Sequence, residues 1–195
     1  MSELFLTIPV GFLQTNCYLV PLDGAKCIVI DPGDEGERIA AEIEGRQLEP
    51  CLFLLTHGHS DHTQGLPALH AKWPDVPIAM HKSDLFMLEK SRKSLPLPTE
   101  FVEEGHKGSI LPKNWTVLHT PGHTPGSCCY WLKDKGILFS GDTLFNMGIG
   151  RTDLPGGNQN SMERSLKRLL ALDPSIKVYP GHGPETTIGA ESKII

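Results

Sequence analysis

Long hydrophobic runs are missing from this chain, and their absence bears on where the protein works. No apolar stretch approaches the roughly 20 residues that span a bilayer. The first segment, MSELFLTIPVGFLQTNCYLV, has neither a basic region nor a small-residue cleavage site, so it does not resemble a secretory signal. We therefore expect a cytoplasmic protein with no membrane partner.

Paired cysteines and clustered basic residues are absent as well. The five cysteines are an odd number and show no CxxC spacing, which argues against a disulfide framework and favours reduced thiols. The 18 Lys and Arg residues are scattered and the formal net charge is -5, so no basic stripe indicates a nucleic-acid-binding surface. Low-complexity tracts and short repeats are also lacking.

Composition and local pattern predict one folded domain over residues 1–195. The chain has 195 residues and 39% hydrophobic content, enough to bury a useful core. Short apolar stretches bounded by Gly, Pro or Asp are typical of buried strands. Strands are predicted at 4–10, 16–20, 27–30, 51–55, 116–119, 127–132, 136–139 and 177–179, and helices at 35–44, 63–72 and 161–172. Residues 82–112 are Pro-rich toward their end, and we interpret them as a connector or a lid over a site.

The stretch FLLTHGHSDHTQG places polar, strongly hydrated side chains directly after an apolar run. Such side chains cost desolvation energy unless something binds them. An extended loop would aim His57, His59 and Asp61 at one point, whereas His62 would project in a different direction from Asp61. Two neighbouring residues that point apart favour two metal ions over one.

Three further stretches supply candidates for the remaining ligands. They are LHTPGHTPGS with His119 and His123, LFSGDTLF with Asp142, and VYPGHGPE with His182. All lie at the ends of predicted strands, where catalytic groups are commonly held on loops by a rigid scaffold. Imidazole and carboxylate groups without cysteine suit zinc, with iron and manganese as alternatives, and argue against a closed thiolate site.

Counting ligands divides these residues between two ions and leaves coordination positions open for water. The first ion would take His57, His59 and His123; the second would take Asp61, His62 and His182; Asp142 would bridge both. His119 lies inside the apolar run WTVLHT, which favours a supporting or core role, although a ligand role stays open. For His70, His81 and His106 we expect hydrogen-bonded surface positions.

The order THGHSDH, PGHTPGS, SGDTLF, GRTDLPGGN and PGHGP resembles the metallo-β-lactamase superfamily, and within it the glyoxalase II-like hydrolases. The resemblance implies an α+β (α/β) four-layered αββα sandwich with a metal pair at one edge, between two sheets. It implies the same division of ligands as the count from the residues. It also implies a hydrolase in which a metal-activated hydroxide attacks a thioester, such as S-lactoylglutathione, while Asp61 orients the hydroxide and Asp142 bridges the ions.

Two departures from the typical glyoxalase II pattern concern substrate choice. Typical members carry a C-terminal helical domain that helps hold glutathione, whereas this sequence extends 13 residues beyond His182. In NMGIGRTDLPGGN, Arg151 falls where the family places a basic residue that faces the substrate carboxylate. The alternative for Arg151 is an ion pair with the nearby Asp153.

Two other functions stay open. One is an iron-dependent persulfide dioxygenase, which in this superfamily uses a single metal on residues that match His57, His123 and Asp142. The other is a non-catalytic metal-binding protein of the same fold. The number of metal ions bound per chain separates these alternatives from a two-metal hydrolase.

Overall fold

The structure is a computed structural model and describes residues 4–91, 94–105 and 110–194; the prediction for His106 lies outside the described residues. The first sheet has six strands in the order β1-β2-β3-β4-β5-β6. Its first three strands are antiparallel neighbours, and the others extend the sheet in parallel. The strands are β1 (Leu6–Val10), β2 (Thr15–Pro21), β3 (Lys26–Ile30), β4 (Glu49–Leu54), β5 (Ile78–Met80) and β6 (Glu100–Phe101).

A second sheet and a small hairpin follow along the chain. Their strands are β7 (Trp115–His119), β8 (Cys128–Leu132), β9 (Ile137–Gly141), β10 (Leu144–Phe145), β11 (Gly148–Ile149), β12 (Lys177–Pro180) and β13 (Thr186–Thr187). The second sheet has the order β13-β12-β9-β8-β7, and β10 pairs with β11 alone. Strands β9 and β12 are parallel, and the other pairs of this sheet are antiparallel.

The helices cover the outer faces of the two sheets. They are α1 (Gly36–Gly45), α2 (Leu66–Lys72), α3 (Leu85–Glu89), α4 (Gln159–Leu169) and α5 (Ile188–Glu191). Helix α1 buries Ile39, Ala40 and Ile43, a spacing that forms one apolar stripe. Helix α4 begins after Asn158, whose side chain accepts a hydrogen bond from the Ser161 N–H at 2.8 Å and caps the helix. No helix within the described ranges combines the length and the apolar character needed to cross a bilayer.

Alternation along the strands produces the four layers. In β3, Cys27 and Val29 pack with the residues of α1 and α2, whereas Ile28 and Ile30 pack toward the second sheet. In β9, Phe139 faces the first sheet and Leu138 packs with α4. Because successive side chains of a strand point to opposite faces, each inner strand contributes to two separate cores. The layers are helices, sheet, sheet and helices, so the predicted αββα sandwich is confirmed.

The structure differs from the sequence prediction in residues 82–112. The described part of this segment contains α3 and β6, and β6 extends the edge of the first sheet. Neither β6 nor β5 was predicted, because runs of two and three residues are too short to show a period. The segment is therefore partly built into the sandwich, with Leu88 and Val102 buried in its cores.

Strand direction fixes where the loops converge. Strands β3, β4 and β5 are parallel neighbours, so their carboxyl ends meet at one edge of the first sheet. The same edge is joined to the second sheet by two backbone hydrogen bonds of 2.8 Å, from Cys128 N–H to Thr56 O and from Asn16 N–H to Gly181 O. The loops that carry the predicted ligands are thus held between the two sheets.

Candidate metal centre

The HGHSDH loop leaves the first sheet directly after β4. Its residues 60–62 form a single turn of 3₁₀ helix, and His57 and His62 are buried while His59 and Asp61 are half-buried. Asp61 Oδ2 lies 3.5 Å from His62 Nε2, so the prediction that these neighbours point apart is wrong. Successive side chains in a 3₁₀ turn are only about 120° apart, which lets both reach one point.

Three imidazoles form the first cluster, defined as His57, His59 and His123. His59 Nδ1 lies 3.1 Å from His57 Nε2 and 2.8 Å from His123 Nε2. A tetrahedral ion about 2.1 Å from each nitrogen would separate the nitrogens by about 3.4 Å. The nitrogens therefore lie slightly closer together than a zinc ion would hold them, and a small outward shift accommodates the ion.

The second cluster is defined as Asp61, His62 and His182. His182 Nε2 lies 3.2 Å from Asp61 Oδ2 and 3.3 Å from His62 Nε2. These separations match the roughly 3.4 Å expected between ligand atoms of one tetrahedral ion. Within each cluster, the possible ligand atoms all lie within 4.8 Å of one another.

Asp142, at the end of β9, lies between the clusters. Its Oδ2 is 3.5 Å from Nε2 of both His123 and His182, and its Oδ1 is 3.4 Å from His62 Nε2. Oδ1 is buried and has no hydrogen-bond partner among the described residues. An unsatisfied buried carboxylate oxygen is costly, and a cation at each cluster would satisfy it. The donor set and its orphaned oxygen thus fit a pair of metal ions.

The second ring nitrogens of four histidines have partners that orient them. An acceptor at Nδ1 holds the proton there and leaves the Nε2 lone pair free for a ligand bond. The Nδ1 partners are Thr56 Oγ1 for His57 at 3.1 Å, Asp31 Oδ2 for His62 at 2.9 Å, Arg151 O for His123 at 2.7 Å and Leu13 O for His182 at 3.1 Å.

Asp31 is a site residue that the sequence analysis missed. It is buried at the end of β3 and accepts hydrogen bonds from Thr56 N–H at 2.7 Å and Thr56 Oγ1 at 2.6 Å, besides its contact with His62. Its backbone has a φ of 49°, in the left-handed region. The signal was an aspartate placed directly after the apolar run CIVI and before Pro-Gly. Asp31 orients His62 directly and His57 through Thr56.

Electrostatics differ between the clusters in the metal-free protein. Burial lowers the pKa of His59 to about 4 and also lowers that of His57, so both rings are neutral. Burial acts in the same direction on His182, but hydrogen bonds with Asp142 and Asp61 outweigh it and raise the pKa to about 9. The carboxylates of Asp142 and Asp31 likewise outweigh burial and raise the pKa of His62. The second cluster therefore holds protons where a metal ion would bind.

Gly181 lies against the centre without a side chain. A Cβ at this position would collide with Asp142 Oδ1 and would lie 2.7 Å from His62 Cε1. Glycine thus allows the backbone between β12 and His182 to approach the carboxylate. The PGHGP stretch supplies close backbone packing as well as a histidine.

The Arg151 side chain forms the ion pair that was the alternative in the sequence analysis. Its Nε and Nη2 each donate to a carboxylate oxygen of Asp153 at 2.7 Å, and both side chains are more than half exposed. The backbone carbonyl of Arg151 orients His123. Contact between the guanidinium and a substrate stays a prediction.

The remaining histidines of the described ranges lie outside the clusters. The ring of His119 stacks on that of His81, with centroids 4.1 Å apart and an interplanar angle of 8°, and its Nε2 lies 2.9 Å from Pro125 O. His70 is half-buried on α2, and its Nδ1 has no hydrogen-bond partner among the described residues. The expectation of hydrogen-bonded surface positions is therefore wrong for His70, while His81 is half-buried and accepts from Ser83 N–H at 3.2 Å.

Two grooves border the centre. One, of about 340 Å³, runs between the HGHSDH loop and α3, past Met87; the other, of about 280 Å³, runs between Asp61 and the β1–β2 turn. Phe12 in that turn is 98% exposed, and Met147 in the β10–β11 turn is 73% exposed. A larger cavity of about 620 Å³ includes Pro21 and Lys26 at the opposite end of the strands, so cavity size does not mark this site.

Comparison with known proteins agrees with the fold and the site. The model of the metallo-beta-lactamase superfamily matches residues 10–182. The chain is 38% identical over 196 residues to the probable metallo-hydrolase YqgX of Bacillus subtilis (strain 168), covering 94% of this chain and 92% of the relative. It is 37% identical over 198 residues to the hydroxyacylglutathione hydrolase GloC of Haemophilus influenzae, covering 95% of this chain and 93% of the relative.

Solved structures with the same fold include a metal-loaded one. TTHA1623 in a di-iron-bound form is 38% identical and superposes with a TM-score of 0.87, covering 97% of this chain and 98% of that one. The BLEG-1 B3 metallo-beta-lactamase is 33% identical, with a TM-score of 0.88 and coverage of 97% and 96%. ETHE1 from Myxococcus xanthus is 27% identical, with a TM-score of 0.82 and coverage of 97% and 82%. This chain belongs to the metallo-beta-lactamase superfamily.

Proposed function

We propose that this protein is a hydrolase that binds two divalent metal ions and cleaves thioesters. The observation that carries the proposal is the position of Asp142, with one carboxylate oxygen 3.5 Å from His123 and the other 3.4 Å from His62. A carboxylate between two three-residue clusters is suited to holding two cations at once. The similarity to GloC supports a hydroxyacylglutathione thioester such as S-lactoylglutathione as substrate.

Each ion would be held by one cluster together with Asp142. The ligands would be His57, His59 and His123 for the first ion and Asp61, His62 and His182 for the second. When bound, two such ions supply Lewis acidity and a hydroxide nucleophile at neutral pH. We propose zinc as the metal because the ligands are imidazoles and carboxylates; the di-iron form of TTHA1623 supports iron as the alternative, and manganese accepts the same ligands.

Asp61 is the ligand best placed to orient a nucleophile. Its side chain is 26% exposed and borders the groove beneath the β1–β2 turn, whereas His62 is fully buried. The Thr15 hydroxyl donates to Asp61 Oδ2 at 3.3 Å and limits how the carboxylate can turn. Asp61 can therefore accept a hydrogen bond from water on the substrate side.

A thioester suits a centre built from ligands. A thiol with a pKa of about 8.5 leaves as thiolate and needs no general acid, unlike an amine or an alcohol. We propose that the grooves beside α3 and the β1–β2 turn hold the acyl and thiol parts. Arg151 would bind a substrate carboxylate, because its exposed pair with Asp153 contributes only about 0–1 kcal/mol to stability and opens readily.

A second candidate function is an iron-dependent persulfide dioxygenase. The structural similarity to ETHE1 favours it, and a single iron would be held by His57, His123 and Asp142. A metal-binding protein without catalytic activity is a third candidate. Neither makes use of the second cluster, in which His182, Asp61 and His62 lie within 3.5 Å of one another.

Metal analysis followed by a substrate panel tests the proposal. Protein purified without chelators should contain close to two metal ions per chain and should hydrolyse S-lactoylglutathione and simpler thioesters. One iron per chain with oxygen consumption on a glutathione persulfide would favour the dioxygenase. Two ions without thioester hydrolysis would contradict the thioesterase, and no bound metal would favour the non-catalytic protein.

We also propose that residues 1–195 act as one cytoplasmic domain. The two sheets share a core formed from both, which includes Ile28, Leu54, Tyr130 and Phe139. All five cysteines are free thiols, as expected for a protein of a reducing compartment.

A further inference from the structure

A buried carboxylate outside both clusters joins two of the ligand-bearing loops. Asp84 lies at the end of a 3₁₀ turn after β5, and its side chain is fully buried. One of these loops contains His57 and His59, and the other contains His123. Neither the ligand count nor the family resemblance assigned Asp84 a role.

Three hydrogen bonds connect Asp84 to these loops. Its Oδ2 accepts from the Gly58 N–H at 3.0 Å and from the Thr124 hydroxyl at 2.6 Å. Its Oδ1 accepts from the Gly126 N–H at 2.6 Å. Gly58 lies between His57 and His59, and Thr124 directly follows His123. Both carboxylate oxygens are therefore used to hold backbone next to the first cluster.

Glycines allow this close approach. A Cβ on Gly126 would lie 2.6 Å from Asp84 Cγ, and a Cβ on Gly58 would lie 3.0 Å from the Asp84 carbonyl oxygen. Contacts this short leave no room for a larger residue in either loop. The two loops are thus packed directly on Asp84, and their separation depends on its carboxylate.

The second cluster is supported differently. His62 is oriented by Asp31, and His182 by the carbonyl oxygen of Leu13. Asp84 makes none of its three hydrogen bonds to the turn that carries Asp61 and His62 or to the loop that carries His182. A change at Asp84 should therefore act on the first cluster selectively.

We propose that Asp84 is a positioning residue that fixes the separation of the His57–His59 loop and the His123 loop, and so sets the affinity of the first cluster for its metal ion. The inference rests on the proposed function, because that function places an ion at the first cluster. Residues that orient metal ligands typically change metal affinity by roughly 10-fold to 100-fold when they are replaced.

The test is the zinc affinity of each cluster measured separately, by competition with a chromophoric chelator. His182→Ala leaves the first cluster intact, and His59→Ala leaves the second. Asp84→Asn is introduced into both backgrounds, because asparagine keeps the size of the side chain but replaces one acceptor oxygen with an N–H donor. We expect roughly 10-fold to 100-fold weaker zinc binding in the His182→Ala background and little change in the His59→Ala background.

Glu191→Gln is the matched control. Glu191 is 1% exposed and accepts hydrogen bonds from Met147 N–H at 3.0 Å and Thr186 Oγ1 at 2.6 Å, far along the chain from the first cluster. It should lower the melting temperature of the metal-free protein, as Asp84→Asn does, without weakening zinc binding at the first cluster. Should Asp84→Asn fail to fold, Thr124→Val removes one of the three hydrogen bonds and should give a smaller loss in the same direction.

Three results would overturn the inference. They are unchanged zinc affinity in Asp84→Asn, equal weakening of both clusters, and weakening by Glu191→Gln of the same size. Failure of the proposed function would look different, because the unmodified protein would then lack the pair of zinc sites altogether.

Discussion

The carboxylate of Asp31 lies 2.9 Å from Nδ1 of His62, and both side chains are buried. The contact fixes which nitrogen of His62 carries the proton. Asp31→Asn should therefore weaken zinc binding at the second cluster by roughly 10-fold to 100-fold. Chelator competition in the His59→Ala background measures this, with the exposed Asp173→Asn as control. Unchanged affinity would mean that burial alone orients His62.

Asp142 is the residue proposed to serve both ions. Asp142→Ala should remove activity and lower the metal content of both clusters, whereas His119→Ala should leave most of the metal in place because His119 stacks on His81 instead. Elemental analysis of the two purified variants gives the comparison. Equal metal loss in both would show that the wrong histidine was assigned to the centre.

Gly181 should not tolerate a methyl group. In Gly181→Ala the new Cβ meets the Asp142 carboxylate, so we expect displaced ligands, less than two bound metal ions and an activity loss of at least tenfold. Gly45→Ala is the matched control, since a Cβ there would have no neighbour within 4 Å. Metal content and melting temperature of both variants decide the matter; retention of two ions by Gly181→Ala would contradict the packing described above.

The two clusters should bind zinc with different pH dependence. The pKa of His182 is about 9, so below that pH the ring must lose a proton before it can bind an ion. His59, with a pKa of about 4, is already neutral. Zinc affinity in the His59→Ala background should rise about tenfold per pH unit for each proton released, between about pH 6 and 8. In the His182→Ala background it should rise much less, and equal slopes would be inconsistent with these charge states.

Arg151 tests substrate choice. A charge-assisted contact contributes about 1.5 to 3 kcal/mol, or roughly 10-fold to 150-fold in binding. Arg151→Ala should raise KM for a glutathione thioester by that factor and spare a neutral thioester, with kcat less affected. Steady-state kinetics on both substrates and thermal melting give the result. Equal loss on both substrates with a lowered melting temperature would mean that Arg151 supports its loop through Asp153.

Much of the fold could be predicted because its inner strands alternate strongly and end at Gly, Pro or Asp. The pattern of Cys27 to Ile30 and of Leu52 to Leu55 sends successive side chains to two cores, which gives a clear apolar run. Strands β5 and β6 have three and two residues, so they show no pattern of their own. Their positions depend on pairing with β4, which is a tertiary contact.

The candidate ligands could be named because histidines at strand ends are rare enough to stand out as a group. Asp31 and Asp84 could not, since a lone aspartate after a strand is a common turn residue. Their roles depend on partners distant in sequence, such as His62 for Asp31 and Gly126 for Asp84. The directions of Asp61 and His62 depended on a 3₁₀ turn that the sequence analysis treated as extended chain.

Each proposed ion takes ligands from both sheets, and this has a consequence for the newborn chain. His57 emerges from the ribosome 125 residues before His182. At roughly 5 to 20 residues per second, the first histidines wait about 6 to 25 seconds for the last. A metal ion captured in that interval meets only the HGHSDH loop and lacks its partners from the second sheet. Correct loading is therefore a late, post-translational event, and the metal available to the finished protein decides what the centre contains.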